Sequence, residues 1–380
     1  MKKNITLENT RREQFAGVNY AGTKPAKPDW YLNSAKYGKS NLRKSIWQIL
    51  NTLGLYAFLW VVMVYTARSA YPYWITLTLA VGAGGILVRV FILFHDCCHG
   101  SFFASRRANT ILGYIGGVLT FTPFEEWRRV HNRHHATAGD LDRRGVGDIW
   151  TMTAEEYVAA PLGKRLGYRV YRNPFFFLGP GSLLLFLFLN RFSKKGAGPR
   201  ERRSVLYTNL SILLIAGLAA RTMGLSAYLS IQLPIIVIAG SVGLWLFYMQ
   251  HQFETAYWVR HDTWDPLRVA LEGSSYFKLP KVLQWVTGNI GLHHIHHVRP
   301  SIPNYHLQEC QDAIPVFKTV KPITLRASFR SLGLSLCDVQ NQRLVSFRSL
   351  SRDTKQCAGD DSAASQKRFR QPGRNWKFFG

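Results

Sequence analysis

Four runs of this chain, roughly residues 47–66, 74–94, 205–222 and 227–249, are apolar. Each is close to the ~20 residues a helix needs to cross ~30 Å of hydrocarbon. Backbone in that medium must satisfy its own hydrogen bonds, so the runs predict helices and an all-α polytopic membrane protein. Two further runs are shorter or broken. Residues 109–123 are Gly-rich and closed by Pro123, and 174–190 starts at Pro174 and is interrupted by Gly179-Pro180-Gly181. Both are expected to be re-entrant or interfacial.

Charge separates the alternatives for the second run. The linker after it carries Arg191, Lys194, Lys195, Arg200, Arg202 and Arg203 against a single acid, Glu201. Lys and Arg in short loops stay on the cytoplasmic side. The expected arrangement is therefore four spans in two hairpins, with the termini and both long polar regions cytoplasmic. The outer connections, about 67–73 and 221–226, carry only Arg68 and Arg221. A basic segment, 1–46, precedes a membrane domain over 47–350, and the Ser-, Arg- and Lys-rich stretch 351–380 reads as a disordered basic tail. No cleavable signal peptide is expected, because the first 46 residues are polar and basic.

The chain has 48 Lys and Arg against 22 Asp and Glu, a formal net charge of +26, beside 47% hydrophobic residues. These cations flank apolar segments and form no stripe on a soluble domain, which points to anionic lipid head groups and away from nucleic acid. Five cysteines, with Cys97 and Cys98 adjacent, form neither a disulfide framework nor a CxxC metal pattern and suit a reducing compartment.

The chain has 12 histidines, and most of them are grouped. His95 and His99 lie in HDCCH, His131, His134 and His135 in HNRHH, and His293, His294, His296 and His297 in HHIHH. On a helix, spacings of three and four place side chains on one face, so each group aims imidazoles at a common point. Under the four-span arrangement all three groups meet at one face of the membrane. Eight imidazoles from these groups, with His251 as a candidate ninth, exceed the needs of one tetrahedral zinc. Two ions with five or six positions each fit better. Imidazole alone suits Fe, Zn, Cu and Ni, and iron is the economical choice where dioxygen is to be activated.

The stretches HDCCHGSFF, EEWRRVHNRHHATAGDLDRRGVGDIW, LFYMQHQFE and GNIGLHHIHHVRPSIPNYHLQ resemble those of the membrane fatty acid desaturases, in particular the bacterial acyl-lipid omega-6 (Delta-12) type. The resemblance spans roughly residues 40–350. It implies two iron ions held by His95, His99, His131, His134, His135, His293, His296 and His297, with His251 as the ligand outside the boxes. It implies O2-dependent insertion of a cis double bond into a fatty acyl chain, in the bacterial cytoplasmic membrane with the active site on the cytoplasmic side. His294 is surplus to HxxHH, which leaves the register of the third box between His293 and His294. Cys98 stands where many relatives have Gly. His261 and His306 read as non-ligands.

Removing hydrogen from an unactivated methylene needs an oxidant that side chains cannot supply; the protein binds, orients and tunes. Asp96, Asp140, Asp142, Asp148, Glu254 and Asn289 lie near the histidines in sequence and are candidates to fix their tautomers. Trp127, Arg128 and Arg129 suit head groups, an acidic electron donor or interfacial anchoring. The glycines of VGAGGI at 81–86 lie inside a span, so no nucleotide fingerprint is present. Electrons are then expected from a separate carrier such as ferredoxin. The competing readings are a related histidine-box oxygenase, such as an alkane or carotenoid hydroxylase or ketolase, and a membrane metal transporter or scaffold. A transporter predicts ionisable ligands within spans, whereas these histidines gather at span ends.

Overall fold

The structure is a computed structural model and describes residues 27–350; the expected basic tail, and residues 1–26 of the N-terminal segment, lie outside the described residues. Helix α1 (Leu42–Arg68) opens at Asn41, whose side chain accepts the Lys44 N–H. Helix α2 (Tyr73–His99) closes at Gly100, which takes a left-handed conformation (φ 68°) and returns its N–H to the Asp96 and Cys97 carbonyls. The first histidine pair therefore sits in the last two turns of an apolar helix. Helices α3 (Arg106–Leu119) and α4 (Phe124–Thr137) follow, the second carrying HNRHH. Beyond α5 (Leu162–Tyr171) come α6 (Pro199–Met223) and α7 (Leu225–His251).

Five helical stretches among the described residues are long and apolar enough to cross a membrane: α1, α2, Pro174–Arg191, α6 and α7. The third is not one regular helix. It is helical over Pro174–Leu178, breaks at Gly179, resumes over Pro180–Leu183, and passes through a π turn at Leu184–Phe188 into a 3-10 turn at Leu189–Arg191. At its start Arg172 donates to Tyr248 Oη (2.8 Å) and Gln252 Oε1 (2.9 Å), at the last turn of α7. Past its end the Lys194 N–H donates to Glu126 Oε1 (3.3 Å), on the first turn of α4. Both ends thus lie toward the histidine-bearing ends of the helices, while Phe186 and Leu187 pack on Ile231, Ile235 and Ile236 deeper along α7.

α2 is the central helix, with α1, α3 and α7 packed around it. Lipid tails are as apolar as leucine, so helices in a bilayer associate through close packing of small residues. A Cβ on Gly84 would lie 2.6 Å from Ile238 Cγ2 on α7. At the ends remote from the histidines, Tyr73 Oη donates to the Ser230 carbonyl (2.8 Å) and Arg68 to that of Thr222.

The rest of the chain forms a cap over the histidine ends. It includes α8 (Lys281–Val286), α9 (His293–Val298) and α10 (Asn304–Ala313). Its core gathers Tyr37, Leu271, Leu292, Ile295, Leu307 and Phe317. The chain is mostly helical, but the all-α expectation needs one correction. β1 (Met152–Thr153) pairs parallel with β4 (Leu336–Asp338), which pairs antiparallel with β5 (Arg343–Val345), and β2 (Tyr276–Lys278) pairs parallel with β3 (Pro322–Thr324). Strands of two or three residues are too short for an alternating pattern to register.

Gly117 is where α3 can approach the turn that launches α4: a Cβ there would sit 2.5 Å from the Thr122 carbonyl oxygen. That neighbour is backbone and cannot swing aside. Gly117→Ala is expected to destabilise the protein by about 1–3 kcal/mol, the usual cost of overpacking, read as a lowered thermal midpoint in detergent.

Candidate metal centre

Nine histidines converge in two groups: His95, His99, His131, His135 and His296 in one, His134, His251, His293 and His297 in the other. Within each group, one ring nitrogen per residue lies within 4.8 Å of all the others. These are the nine residues singled out in the sequence. His294 is excluded: its Nε2 faces Gln311 Oε1 at 3.0 Å, away from both groups, so the third box reads from His293. Burial pushes its pKa down to about 4. His261 lies at the surface against Asp140 (2.9 Å) and His306 against Glu309 (3.0 Å), both apart from the groups.

Helix periodicity explains the partition. In HxxHH the first and fifth positions are about 40° apart, while the fourth lies about 60° to the other side of the first. On α4, His131 and His135 join the first group and His134 the second; on α9, His293 and His297 join the second and His296 the first. Each box therefore straddles the two groups. α2 completes the first group and the final residue of α7, His251, completes the second.

Hydrogen bonding shows what the groups can hold. His134 Nδ1 lies 2.6 Å from Asp148 Oδ1, and His251 Nδ1 lies 3.2 Å from the Gly273 carbonyl. Carboxylates and carbonyls only accept, so both Nδ1 atoms carry the proton and both Nε2 atoms present lone pairs. Those two lone pairs face each other at 3.1 Å, and His251 Nε2 faces His293 Nε2 at the same distance. In the first group His95 Nδ1 leans on Asp96 Oδ1 (3.2 Å), and a chain of Nε2 atoms runs from His95 to His131 (3.1 Å), His135 (3.1 Å) and His296 (2.9 Å). Lone pairs so placed repel unless a cation lies between them. Metal–imidazole bonds are ~2.0–2.1 Å, which puts ligands at right angles about 3.0 Å apart. The buried Nε2 atoms of His99 and His297 also have no hydrogen-bond partner among the described residues. The donor set fits two metal ions bound by imidazole.

Of the six polar residues expected beside the histidines, Asp96 and Asp148 meet them. Asp96 also accepts from Asn304 N (2.7 Å) and Nδ2 (2.8 Å), and Asn304 Oδ1 accepts from Gln48 on α1 (2.7 Å). The buried Asp140 instead binds Arg143 and His261, the exposed Asp142 binds Arg260, and the Glu254 carbonyl accepts from Leu344. Asn289, at φ 58°, donates to the Asn304 carbonyl. Trp127 stacks on His131 with centroids 4.2 Å apart, while Arg128 and Arg129 pair with Glu125 (2.5 Å) and Glu126 (2.7 Å) on their own helix. Cys98 is buried with Phe94 and Phe102, and the four described cysteines are all free. The Gly273 carbonyl, Asn304 and Gln48 belong to the site's support but to no spacing that sequence could reveal.

Beside the histidines lies an apolar cavity of about 520 Å³, within the ~300–1,000 Å³ typical of ligand sites. His95 and His131 of one group and His293 of the other form part of its wall, and it continues past Phe91, Leu87 and Gly240 to Ile236. Ile236 lies fifteen residues before His251 on α7, about 22 Å along the helix at ~1.5 Å per residue.

Comparison with known proteins decides the family. Residues 68–318 match the family model described as fatty acid desaturase. The chain belongs to the fatty acid desaturase family. A "Fatty acid desaturase" of Bacillus subtilis (strain 168) is 45% identical over 83% of this chain and 89% of its own length. An "sn-1 oleoyl-lipid 12-desaturase" of Synechocystis is 26% identical over 68% of this chain and 72% of its own. An "sn-1 acyl-lipid omega-3 desaturase (ferredoxin)" of Nostoc is 25% identical over 61% of this chain and 65% of its own. The protein is thus a membrane fatty acid desaturase, an oxidoreductase, and the transporter and scaffold readings fall away.

Burial and the neighbouring imidazoles hold His131, His135, His293, His296 and His297 well below their ordinary 6.5. The unfolded chain titrates these residues near ~6.5, so below that pH it binds more protons than the folded one. Folding stability is then full above that value and falls as pH drops below it, until the depressed folded pKa values are reached. The metal-free protein is expected to show a thermal midpoint that decreases steadily from pH 7.5 to pH 5.5. A flat profile would show that these imidazoles are not held neutral.

Proposed function

We propose that the nine histidines bind two irons, that the apolar cavity holds the acyl chain beside them, and that the enzyme inserts a cis double bond into a membrane acyl lipid. The observation that carries this reading is the cavity wall, where histidines of both groups meet a long apolar space. A hydroxylase on the same scaffold would need an equivalent metal site; the relatives named as acyl-lipid desaturases favour desaturation.

Bound iron would supply activation of O2, and the net reaction takes two hydrogens from adjacent methylenes, two electrons and two protons to give the alkene and two waters. The chain's own residues do the rest. The cavity excludes water and lays the acyl chain past His95, His131 and His293. Asp148 and the Gly273 carbonyl hold the Nδ1 protons of His134 and His251, so that both Nε2 atoms are free to bind. Electrons come from a separate carrier; ferredoxin is the candidate, in keeping with the Nostoc relative's name.

We read four spans in the cytoplasmic membrane, α1, α2, α6 and α7, with the metal centre and both termini on the cytoplasmic side. The segment 174–191 dips in and returns, which its two anchors near the histidine ends support. Lys194→Cys, with Cys357 removed, should be labelled by a membrane-impermeant maleimide from the cytoplasmic side only. Labelling from outside would make the segment a fifth span.

Methyl-ester profiling after expression in a host with oleoyl lipids but no polyunsaturates tests the activity and the omega-6/Delta-12 regiochemistry, which the Synechocystis relative supports. A new diene is expected. A new monoene made from saturated chains would keep desaturation and overturn the position.

Metal analysis of purified protein is expected to give about two irons per chain, and one zinc with no iron would sink the assignment. His251→Ala should abolish product and lower iron content. His261→Ala, a surface change whose usual cost is within ~0.5 kcal/mol, should leave both intact. Full iron loading with normal product in His251→Ala would reduce the ligand set to eight.

A further inference from the structure

The cavity is closed on one side by a single layer of chain. Phe176, Gly181, Leu184, Leu185, Phe186 and Leu189 line it. The segment is also bare to the outside: Phe175 is 88% exposed and Phe188 59%, and neither lines the cavity, while Leu189 and Leu184, which do, are 52% and 44% exposed. In a protein read as membrane-embedded, that bare apolar surface faces acyl chains. Residues as hydrophobic as these therefore separate lipid on one side from the acyl cavity on the other, with no second helix behind them among the described residues.

This layer is also built to move. Its start is fixed by Asn173, whose side chain accepts the Phe175 and Phe176 N–H groups, and by Ser241, which donates to the Leu178 carbonyl (2.6 Å). Its end is fixed by Asn190 to the Phe121 carbonyl (3.3 Å) and by Arg191 to Asn209 (2.8 Å). Between them, among the described residues, the only hydrogen bonds that leave Gly179–Leu189 are backbone ones to the adjoining Phe175 and Phe192; none reaches another element. The stretch combines a break at Gly179 with a π turn, a form that recurs at functional sites. Parting it from α7 carries no hydrophobic penalty, because lipid tails replace the side chains it leaves.

On the water side the cavity reaches Gly145, Gly147, Asp148 and Lys194; Gly147 and Asp148 lie in a loop pressed onto α4, where a Cβ on Gly147 would lie 2.8 Å from the Val130 carbonyl oxygen. Asp148 holds His134 through its 2.6 Å contact, so opening that loop would dismantle the centre it serves.

We propose that Gly179–Leu189 is a movable wall that swings away from α7 and admits the acyl chain sideways from the bilayer, so that the substrate is a membrane-resident glycerolipid and not a water-soluble acyl thioester. The proposal rests on the desaturase reading above, its membrane acyl lipid included, and adds the route by which that lipid enters.

The wall can be pinned at its middle. A Cβ on Gly240 of α7 would lie 3.2 Å from Ser182 Cβ, close to the ~3.5–4.5 Å of a disulfide. Iron-loaded Ser182→Cys/Gly240→Cys enzyme is reconstituted in vesicles carrying oleoyl phosphatidylglycerol and assayed reduced and after diamide, with wild type and Ser182→Cys as oxidation controls. A parallel set receives oleoyl-CoA in place of the oleoyl lipid. Wild type should desaturate the glycerolipid and not the thioester. Gly240 lines the cavity, so the double variant is compared only with itself, and oxidation should cut the glycerolipid turnover of its reduced form by about tenfold or more, as expected when a gate is locked, with recovery on reduction. Lipid turnover within twofold of the reduced value, despite a formed disulfide, overturns the wall; use of the thioester by the locked enzyme overturns the route. If wild type and the reduced double variant desaturate neither source, the desaturase reading fails. Hydrogen–deuterium exchange on unmodified enzyme in nanodiscs tests the wall without chemistry: Gly179–Leu189 should exchange far faster than Ile236–Gly240 of α7. Equal protection overturns the proposal.

Discussion

Unprotonated imidazole nitrogens facing one another across about 3 Å are the constraint from which the rest of this structure follows. His134 and His251 are each oriented by an acceptor at Nδ1, which leaves their Nε2 lone pairs pointed together. Two facing lone pairs repel, and either a proton or a metal cation between them removes the repulsion. Burial disfavours the protonated, charged form, so a metal ion is the partner that the arrangement fits. Metal binding energy is then folding energy for the cap, since no preformed site exists in an unfolded chain. Every major element helps: α2 and α7 deliver histidines at their final turns, and α4 and α9 lie across them to close both groups.

The two HxxHH boxes make the groups interdependent. Each helix gives a pair four residues apart to one group and the intervening histidine to the other, in opposite senses on α4 and α9. Rotating either helix to improve one group spoils the other. This explains why the surroundings of those helices are so heavily tied. Asp96 reaches from α2 to Asn304 on α10, and Gln48 on α1 completes the link. Such ties between distant parts of the chain fix positions that packing among apolar side chains alone would leave free to slide.

Much of this was legible in sequence. Apolar runs of ~20 residues revealed the long helices because the bilayer permits little else, and spacings of three and four revealed the histidine faces because the helix period is fixed. His251 was legible because it directly follows such a run. The third box's register was left open by the adjacent pair, since His293 stands three residues before His296 and His294 three before His297; the fold separates them by turning His294 toward Gln311. Asp140 and Asp142 were misleading for a related reason. They are near His135 along the chain, yet the left-handed Gly139 turns the chain out of α4 and away from both groups, Asp140 to a buried site beneath Arg143 and His261 and Asp142 to the surface. The strands are too short to leave an alternating pattern, and the buried hub at Arg172, which binds Tyr248, Gln252 and the Leu334 carbonyl, depends on partners more than 70 residues away.

One buried charge shows how the membrane part meets the cap. Arg89 lies ten residues before His99 on α2 and is 3% exposed, where a cation is costly unless its donors are used. Its Nε donates to Thr52 Oγ1 (3.0 Å), its guanidinium lies 4.2 Å from the Trp285 ring, and it also donates to the Trp285 carbonyl near the end of α8. A cation suits the carbonyl end of a helix, and here it supplies the acceptor groups there with a partner that lipid cannot offer. α8 is otherwise poorly anchored, with Val282 74% exposed. Arg89 therefore pins to the central helix the segment that leads, through Gly288 packed on Ile92, into the third histidine box. The spans thus do more than hold the enzyme in the bilayer: α2 carries the first two histidines of the centre and, three turns deeper, fixes the approach of three more.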